Sequence, residues 1–502
     1  MIERFARALA PGVALAAACI TGAFAQTTTQ EGIPGTENPA PTASPLKPLP
    51  LPDALSPQSH PAATPTPLPG KLNVSGRVRG YYFVRLNRVA NATNPNRHAI
   101  AFGVEPHLDY RIGDTPLNIG YTYFGSTGFG FNGPNPIRNG RLDNTLPAFP
   151  LDQPLHELYL QYKDRTNQIT VGDQILNYPF MPNSDSRLKP VAYQGADASV
   201  ALTPWLNASA TRVIRFAARN SSQFVDNTLL TAQYPGGNYG ATVAERPTSG
   251  TMRVGLNFHP STRASIVAEN YQMYDIANVG YAEGKYGLAP FSPVNPYVAV
   301  QYVAENSLGR NRIGRVDNHT IGAQVGANVA RGLLFAASTD IAPWRYRDVT
   351  AASLATANRG YFSPSGGTGA ALLLPDGRYR IAYGGVASPY TDSYATDPLY
   401  TSQITQGLAD RRSAGEAYKA ALVYTTPSKQ LKLIASEGWF DYSNQISRNL
   451  TSEFNGDATY FLNKVRSGPY KGLFVRVRIA PRNQPTLPYN FEYERFQTEY
   501  DF

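Results

Sequence analysis

Apolar and polar residues alternate along many short segments of this 502-residue chain, from Lys71 to the C-terminus. In residues 72–86 every second position belongs to the same face, as expected for a β-strand. The apolar face holds Leu72, Val74, Val78, Tyr82, Val84 and Leu86, and the opposite face holds Asn73, Ser75, Arg77, Arg79, Tyr81 and Arg85. The same alternation recurs in residues 117–123, 157–162, 251–258 and 320–329. The pattern predicts an all-β chain.

The residue types on the polar faces indicate what the strands enclose. These faces are rich in Gly, Asn, Gln, Thr and Arg, whereas the solvent face of a soluble β-sandwich is rich in Lys and Glu. Small and uncharged polar side chains suit a water-filled interior, and the apolar faces would then contact lipid. In lipid every backbone amide must be hydrogen-bonded within the chain, so the sheet has to close into a barrel.

The connections between the strands support this prediction, because short and long ones alternate. Tight turns are predicted at residues 113–114, 163–166, 203–204, 259–261, 330–331, 427–429 and 467–470, and long Gly/Pro/Asn-rich loops at 127–153, 177–192, 220–249, 276–315 and 343–377. One strand is placed within 388–413 only because the total must be even. The result is a transmembrane antiparallel β-barrel of about 18 strands, with short periplasmic turns and long extracellular loops, wide enough for an aqueous channel.

The N-terminus predicts export and a separate, unfolded segment. Residues 1–25 combine Arg4 and Arg7, an apolar stretch and the small residues Ala23 and Ala25, which together are typical of a signal peptide. Acylation of Cys19 in a lipoprotein signal is the alternative. Residues 26–70 are rich in Pro, and we expect a disordered periplasmic segment there. The barrel then occupies residues 71–502.

Composition narrows the chemistry. The only cysteine is Cys19, so the mature chain can form neither an internal disulfide nor a thiolate metal site. The 32 tyrosines and 22 phenylalanines suit the aromatic girdles and wet lumen of a barrel. The net charge of +9 favours anionic partners, which could be nucleic acid, an acidic lipid surface or small anions in a channel. A channel fits the strand pattern, and no nucleic-acid partner is predicted.

Two further motifs carry no enzymatic prediction. Residues 128–133 match GxGxxG, but Pro134 and Pro136 follow and no βαβ pattern surrounds them, so the match predicts a loop. The six histidines have no metal-ligand spacing, and no serine, histidine and acid can be grouped by sequence. We expect neither a catalytic site nor a cofactor nor a metal.

Arginines on the polar faces are the strongest candidate site. Arg77, Arg79 and Arg85 lie on the first strand, and Arg476 and Arg478 alternate with apolar residues on the penultimate one. Closure would bring these two sets together, and Arg253 has the same lumenal parity. Guanidinium groups stay charged and bind carboxylates in a bidentate manner. They would either line the channel or brace its wall by pairing with lumenal carboxylates, for which the candidates are Glu492, Glu499 and Asp501.

Two stretches resemble the OprD-type outer-membrane porins. The first is HELYLQYKDRTNQITVGDQILNYPF with SDSRLKPVAYQGADASV, and the second is VRSGPYKGLFVRVRIA near the C-terminus. The resemblance implies an 18-stranded barrel with an arginine ladder that passes small, often carboxylate-bearing solutes, and an inward loop after the fifth strand. It makes Arg476 and Arg478 ladder residues, and it puts Asp185, Arg187, Lys189 and Tyr193 in or beside the constriction. The Pro-rich segment and the acidic final strand FEYERFQTEYDF depart from the family.

We therefore predict an outer-membrane porin for passive diffusion of small hydrophilic solutes, with a preference for anions. Its expected surroundings are outer-membrane lipid and lipopolysaccharide. Phe496, Tyr500 and Phe502 resemble the C-terminal signature read by the barrel-assembly machinery. The Pro-rich segment is a candidate for peptidoglycan contact, and the chain could be a monomer or a homotrimer. An exporter of acidic polysaccharide resembling the alginate-export barrel, and an adhesin that binds ligands through its loops, are the alternatives.

Overall fold

A computed structural model describes seventeen parts of the chain. They are residues 70–87, 96–129, 131, 155–181, 188–217, 224–226, 248–275, 277–289, 292–310, 317–352, 371–383, 390, 415–441, 443, 450–462, 472–483 and 491–502. The predicted signal peptide and nearly all of the Pro-rich segment lie outside these residues. Among the described residues no helix is long and apolar enough to cross a membrane.

The described residues form a closed antiparallel barrel of eighteen strands. The strands are β1 Leu72–Asn87, β2 Arg97–Arg111, β3 Leu117–Thr127, β4 Leu155–Lys163, β5 Asn167–Gln174, β6 Ala192–Thr203, β7 Leu206–Ala217, β8 Thr251–Ser261, β9 Ala264–Met273, β10 Ala277–Gly287, β11 Tyr297–Ser307, β12 Asp317–Ala330, β13 Leu333–Ile341, β14 Glu416–Thr425, β15 Leu431–Asp441, β16 Leu450–Phe461, β17 Phe474–Asn483 and β18 Phe491–Asp501. Each strand pairs with its sequence neighbours, and β1 pairs with β18. The fold class and the strand number predicted from the sequence are confirmed.

The β1–β18 pairing, which we call the seam, closes the ring. It runs from Arg77 opposite Asp501 to Asn87 opposite Phe491. Beyond it, the Gly76 and Phe502 backbones exchange two hydrogen bonds of 2.9 and 3.1 Å. The C-terminal residue is thus tied to the first strand, and no described strand end is left as an open edge of the ring.

The apolar faces point outward, as the alternation predicted. The exposed apolar residues on alternate positions include Leu72, Val74, Val78, Leu158, Leu160, Val254, Leu256, Ile321, Val325 and Val477. Their neighbours on the inward face are polar or small, and many are buried, such as Arg79, Thr170, Gln324 and Asp457. A large apolar surface outside and a polar interior is the reverse of a soluble fold and is typical of a barrel in lipid.

Around most of the ring, short connections at one end alternate with long connections at the other, as predicted. The exceptions are residues 274–276 between β9 and β10, which are short, and residues 288–296 and 462–473, which are long. We call the end with the short connections the turn end and the other the loop end. Five of the predicted turns coincide with described turns to within a residue or two, and the predicted turn at 259–261 is instead the end of β8, with the turn at 262–263. The predicted turn at 467–470 and nearly all of the strand expected within 388–413 lie outside the described residues.

The predicted loop at 276–315 is wrong, because β10 and β11 lie within it. On β10 the outward positions are Asn278, Gly280, Ala282, Gly284 and Tyr286, so only the last of them carries a large apolar side chain. The connection that follows, residues 288–296, has three prolines and therefore reads as a loop. On β11 the alternation of Val298, Val300 and Tyr302 with Ala299 and Gln301 was the signal that could have revealed the strand.

The β13–β14 connection contains a small sheet of its own. Residues Tyr379–Tyr383 pair with Arg345–Val349 on one side and with Ala371–Leu373 on the other. Asp348 and Arg380 form a bidentate pair across this sheet at 2.8 and 3.0 Å, and hydrogen bonding to Arg380 lowers the pKa of the Asp348 carboxyl. The sheet lies at the loop end, outside the ring.

The close approach at Gly76 gives a test of the seam. A Cβ at this position would lie 2.5 Å from the carbonyl oxygen of Glu105 and 3.0 Å from the Phe502 ring, and the φ of Gly76 is +155°. We expect Gly76→Ala to lower the free energy of unfolding by about 1–3 kcal/mol, as overpacking does, in urea titrations followed by heat-modifiable mobility.

Gly284→Ala is the matched control, because a Cβ there meets no heavy atom within 4 Å. We expect a change within about 0.5 kcal/mol. Equal effects of the two substitutions would contradict the proposed importance of the Gly76 contact.

Candidate functional site

Arginines from both ends of the chain meet at the seam. Arg79 on β1 contacts Glu499 on β18 at 2.8 Å and Glu105 on β2 at 3.6 Å. Arg77 contacts the same two carboxylates at 3.7 and 3.2 Å. The Arg79 side chain is 3% exposed, whereas that of Arg77 is 23% exposed. Arg77 is therefore the more accessible of the two to a solute in the lumen.

The penultimate strand continues this row of guanidinium groups. Arg476 and Arg478 on β17 both contact Asp457 on β16, at distances between 2.7 and 2.9 Å. Two guanidinium groups thus share one carboxylate. Because β17 pairs with β18 and β18 with β1, one strand separates these arginines from Arg77 and Arg79. The predicted proximity of the two arginine sets is present in the structure.

Sequence reasoning missed two arginines of this wall. Arg482 on β17 contacts Glu453 at 2.8 Å, and Arg495 on β18 lies with its guanidinium carbon 4.9 Å from the Tyr81 ring centre. Arg482 has the same parity as Arg476 and Arg478, so the alternation alone could have identified it. We call the inward faces of β16, β17, β18, β1 and β2 the arginine wall.

The loop end of the arginine wall brings two like charges together. The β1–β2 register places Arg85 directly opposite Arg97, and both have lumenal parity. Like charges directly opposite each other on a strand pair are destabilising.

The carboxylates named from the sequence do not all face the lumen. Glu499 does, and it pairs with Arg77 and Arg79. Asp501 has the same parity and lies opposite Arg77 at the turn end. Glu492 has the opposite parity, because it lies opposite Leu86 on the outward face. Its inclusion among lumenal carboxylates was therefore wrong. Successive residues of a strand point to opposite faces, so the even-numbered Glu492 faces away from the lumen if the odd-numbered Glu499 and Asp501 face it.

Arg253 lies on the other side of the barrel, on β8. It forms an ion pair with Glu269, and its guanidinium carbon lies 3.4 Å from the Tyr178 ring centre. Its side chain is 3% exposed. Tyr178 belongs to the β5–β6 connection, so Arg253 holds this connection against the barrel wall.

The β5–β6 connection, residues 175–191, begins with several anchors to the wall. The Ile175 amide donates to Glu157 at 3.0 Å, and the Tyr178 hydroxyl donates to Asp197 at 2.8 Å. Burial raises the pKa of the Tyr178 phenol. The Phe180 ring packs edge-on against Tyr271 and Tyr281 at 5.4 and 5.8 Å between ring centres.

The end of the same connection contacts the arginine wall. Leu188 is fully buried in a cluster with residues of β1, β2, β17 and β18, namely Tyr81, Phe83, Ala99, Ala101, Ala480 and Tyr493. Since β9 and β10 lie halfway around the ring from the seam, the contacts of Phe180 and Leu188 are on opposite walls. The described ends of this connection, which we call the crossing connection, therefore contact opposite walls of the lumen.

The four predicted constriction residues have different outcomes. Lys189 is fully buried near the end of the connection, and Tyr193 is buried on β6. Asp185 and Arg187 lie outside the described residues. The structure places the arginines, Lys189 and Tyr193, and all of the arginine and constriction positions remain predictions as functional residues.

A second connection also enters the barrel. Tyr390, from the β13–β14 connection, is buried, and its hydroxyl donates to Glu283 on β10 at 2.9 Å. Burial and the nearby Glu283 charge raise the pKa of the Tyr390 phenol. Glu283 has lumenal parity and lies in the half of β10 closer to the turn end. No sequence pattern indicated this contact, because it joins residues 107 positions apart.

This arrangement can select solutes by size and charge. Residues of the β5–β6 and β13–β14 connections occupy part of the lumen. The arginine wall provides charge along one side of it. In the part of the chain that the structure describes, no group of three or more His, Cys, Asp or Glu residues is placed to bind a metal ion.

Solved structures with the same fold include three outer-membrane proteins. Pseudomonas aeruginosa OpdK, crystallised with vanillate, matches with a TM-score of 0.62 at 15% identity, covering 86% of this chain and 98% of OpdK. Acinetobacter baumannii OccAB3 matches with a TM-score of 0.61 at 14% identity, covering 86% and 99%. A BenF-like porin from Pseudomonas fluorescens Pf-5 matches with a TM-score of 0.62 at 13% identity, covering 86% and 98%.

No curated protein matches the chain in sequence. The family model for the outer membrane porin, OprD family, matches residues 72–342, which is more than half of the chain. The matched range begins with β1 and ends just after β13, so it covers the seam strand β1, the crossing connection and the wall that anchors it. The chain belongs to the OprD family of outer-membrane porins.

Proposed function

We propose that this porin passes small hydrophilic solutes that are anionic or carry a carboxylate, by passive diffusion through an arginine-lined, loop-constricted channel in the cell outer membrane. The observation that carries the proposal is the arginine wall, in which residues from β1, β17 and β18 place guanidinium groups along one side of the lumen. Guanidinium groups bind carboxylates through paired hydrogen bonds and stay charged at all physiological pH values.

The carboxylates on this wall suit transient binding. Glu105, Glu499 and Asp457 fix the arginine side chains in place, so a solute meets a preorganised array. They also offset part of the positive charge. Conduction requires sites that attract a solute and release it quickly, and partly neutralised guanidinium groups meet both needs.

The crossing connection sets the size limit. Its anchors at Tyr178, Phe180 and Leu188 lie on both walls, so the free cross-section is smaller than that of the bare barrel. A solute then has to pass close to the arginine wall. Narrowing and charge therefore act together on the same solute.

One of the similar structures was crystallised with vanillate, which is an aromatic carboxylate. Aromatic and aliphatic monocarboxylates are therefore the first solutes to compare in transport assays.

The proposal also includes how the chain is exported and assembled and what surrounds it in the membrane. The signal peptide 1–25 directs export, and the barrel-assembly machinery reads the C-terminal aromatic residues. Lipopolysaccharide and lipid surround the barrel, which works as a monomer or a homotrimer. Residues 26–70 extend into the periplasm, where peptidoglycan is a candidate contact.

Charge removal on the arginine wall tests the selectivity. We expect wild-type protein in planar bilayers to prefer anions, and Arg476→Ala/Arg478→Ala to lower the anion-to-cation permeability ratio. One charge at 4 Å in a water-like medium contributes about 1 kcal/mol, or about fivefold in this ratio. Asp457→Asn removes the shared carboxylate and should raise the ratio. Reversal potentials in a salt gradient measure both effects.

Arg331→Ala is the control, because Arg331 is exposed at a turn and lies outside the lumen. It should leave the reversal potential unchanged. A cation preference in wild type that persists in the double variant would refute the proposal.

Ionic strength provides a second test. The charges of the arginine wall act over a Debye length of about 10 Å at 0.1 M salt and about 3 Å at 1 M. We expect the permeability ratio to fall towards unity as the salt concentration rises at constant gradient ratio. A ratio independent of salt would indicate that pore size alone decides passage.

A further inference from the structure

Two connections that are far apart in sequence contact neighbouring lumenal residues of β10. Phe180, in the β5–β6 connection, packs edge-on against the Tyr281 ring at 5.8 Å between centres and an interplanar angle of 73°. Tyr390, in the β13–β14 connection, donates its hydroxyl to Glu283 at 2.9 Å. Tyr281 and Glu283 are two positions apart and face the lumen on the same strand.

A single oxygen atom links the two contacts. The Tyr281 hydroxyl donates to Oε2 of Glu283 at 3.2 Å, and the Tyr390 hydroxyl donates to the same oxygen. A carboxylate oxygen can accept two hydrogen bonds. Therefore the position of Glu283 depends on both phenols, and the position of the Tyr281 ring depends on Phe180.

Phe180 is held by further contacts that transmit its position. Its ring packs against Tyr271 at 5.4 Å between centres, and its backbone amide is 3.5 Å from the Tyr271 hydroxyl. Phe180 and Tyr271 are both fully buried. A closely packed ring of this kind cannot shift without moving the Tyr281 ring, because packed cores do not deform continuously.

We propose that Tyr281 and Glu283 are positioning residues that couple the two connections, so that a displacement at Phe180 also changes the contact of Tyr390. The proposal rests on the proposed function, in that the crossing connection narrows a solute channel. It goes beyond that function because it gives β10 a role in the channel. When a solute displaces one connection, Tyr281 and Glu283 would transmit this displacement to the other connection and so change the channel cross-section. A solute that touches either connection then alters the space beside the other.

Single-channel recording of the full mature protein in planar bilayers tests the coupling, with the rate of transitions between current sublevels as the readout. Tyr390→Phe removes one hydrogen bond, and we expect a rise of about fivefold, the factor for a bond of ordinary net strength. Phe180→Leu removes the ring contact and should give a rise of similar size.

The double variant Tyr390→Phe/Phe180→Leu shows whether the two contacts are coupled or act independently. Independent effects multiply to about twenty-five-fold, as for sites that do not share partners. Coupling through Tyr281 and Glu283 predicts clearly less than that product. In a Tyr281→Phe background, which keeps the ring and removes the hydroxyl bonded to Glu283, the two effects should become multiplicative.

Tyr302→Phe is the matched control. Tyr302 lies on the neighbouring strand β11, its hydroxyl bonds to His319 at 2.7 Å, and it faces outward. Its loss should leave the sublevel rates unchanged. If Phe180→Leu fails to assemble, Phe180→Met takes its place, since Met fills irregular space with little strain.

Multiplicative effects in both backgrounds overturn the proposal, and so do unchanged sublevel rates in Tyr390→Phe and Phe180→Leu. Reversal potentials from the same recordings report on the proposed function separately. Coupling without an anion preference would defeat the selectivity proposal alone, whereas an anion preference with multiplicative effects would defeat the coupling alone.

Discussion

Hydrogen bonding of the backbone in lipid is the constraint on which the rest of this structure depends. An unpaired amide in hydrocarbon costs several kcal/mol, so the first strand must pair with the last. The seam meets this requirement over eleven residue pairs from Arg77 to Asn87, and Gly76 and Phe502 add two hydrogen bonds beyond it. Closure places one face of every strand against lipid and the other against the lumen, so apolar residues lie outward and polar residues inward.

Closure also determines where charge accumulates. Arginines near the two ends of the chain, such as Arg79 and Arg478, become neighbours only because β1 and β18 pair. The carboxylates that hold them come from β2, β16 and β18. The opposite wall, from β6 to β11, holds the start of the crossing connection. Arg253 lies over the Tyr178 ring, and Tyr271 and Tyr281 pack against Phe180. The arginine wall holds the end of the same connection, because Leu188 is buried against it.

The sequence predicted the features that depend on local alternation. Val78, Leu160 and Val477 face outward as their parity required, and the arginines of β1 and β17 face inward. The prediction failed where the outward face has a single large apolar side chain, as on β10, and where parity was not counted, as for Glu492. It also could not reveal that Tyr178 stacks on Arg253 or that Tyr390 reaches Glu283, because these contacts depend on how long connections fold back.

The most direct test of the account is the environment of alternate positions on one strand. Single cysteines replacing Leu158, Tyr159, Leu160 and Gln161 of β4 can each carry a fluorophore, in a mature chain predicted to have no other cysteine. We predict that lipid-bound quenchers reduce the fluorescence at 158 and 160 but not at 159 and 161. Uniform quenching along the strand, or the opposite alternation, would contradict a barrel with lipid outside and water inside.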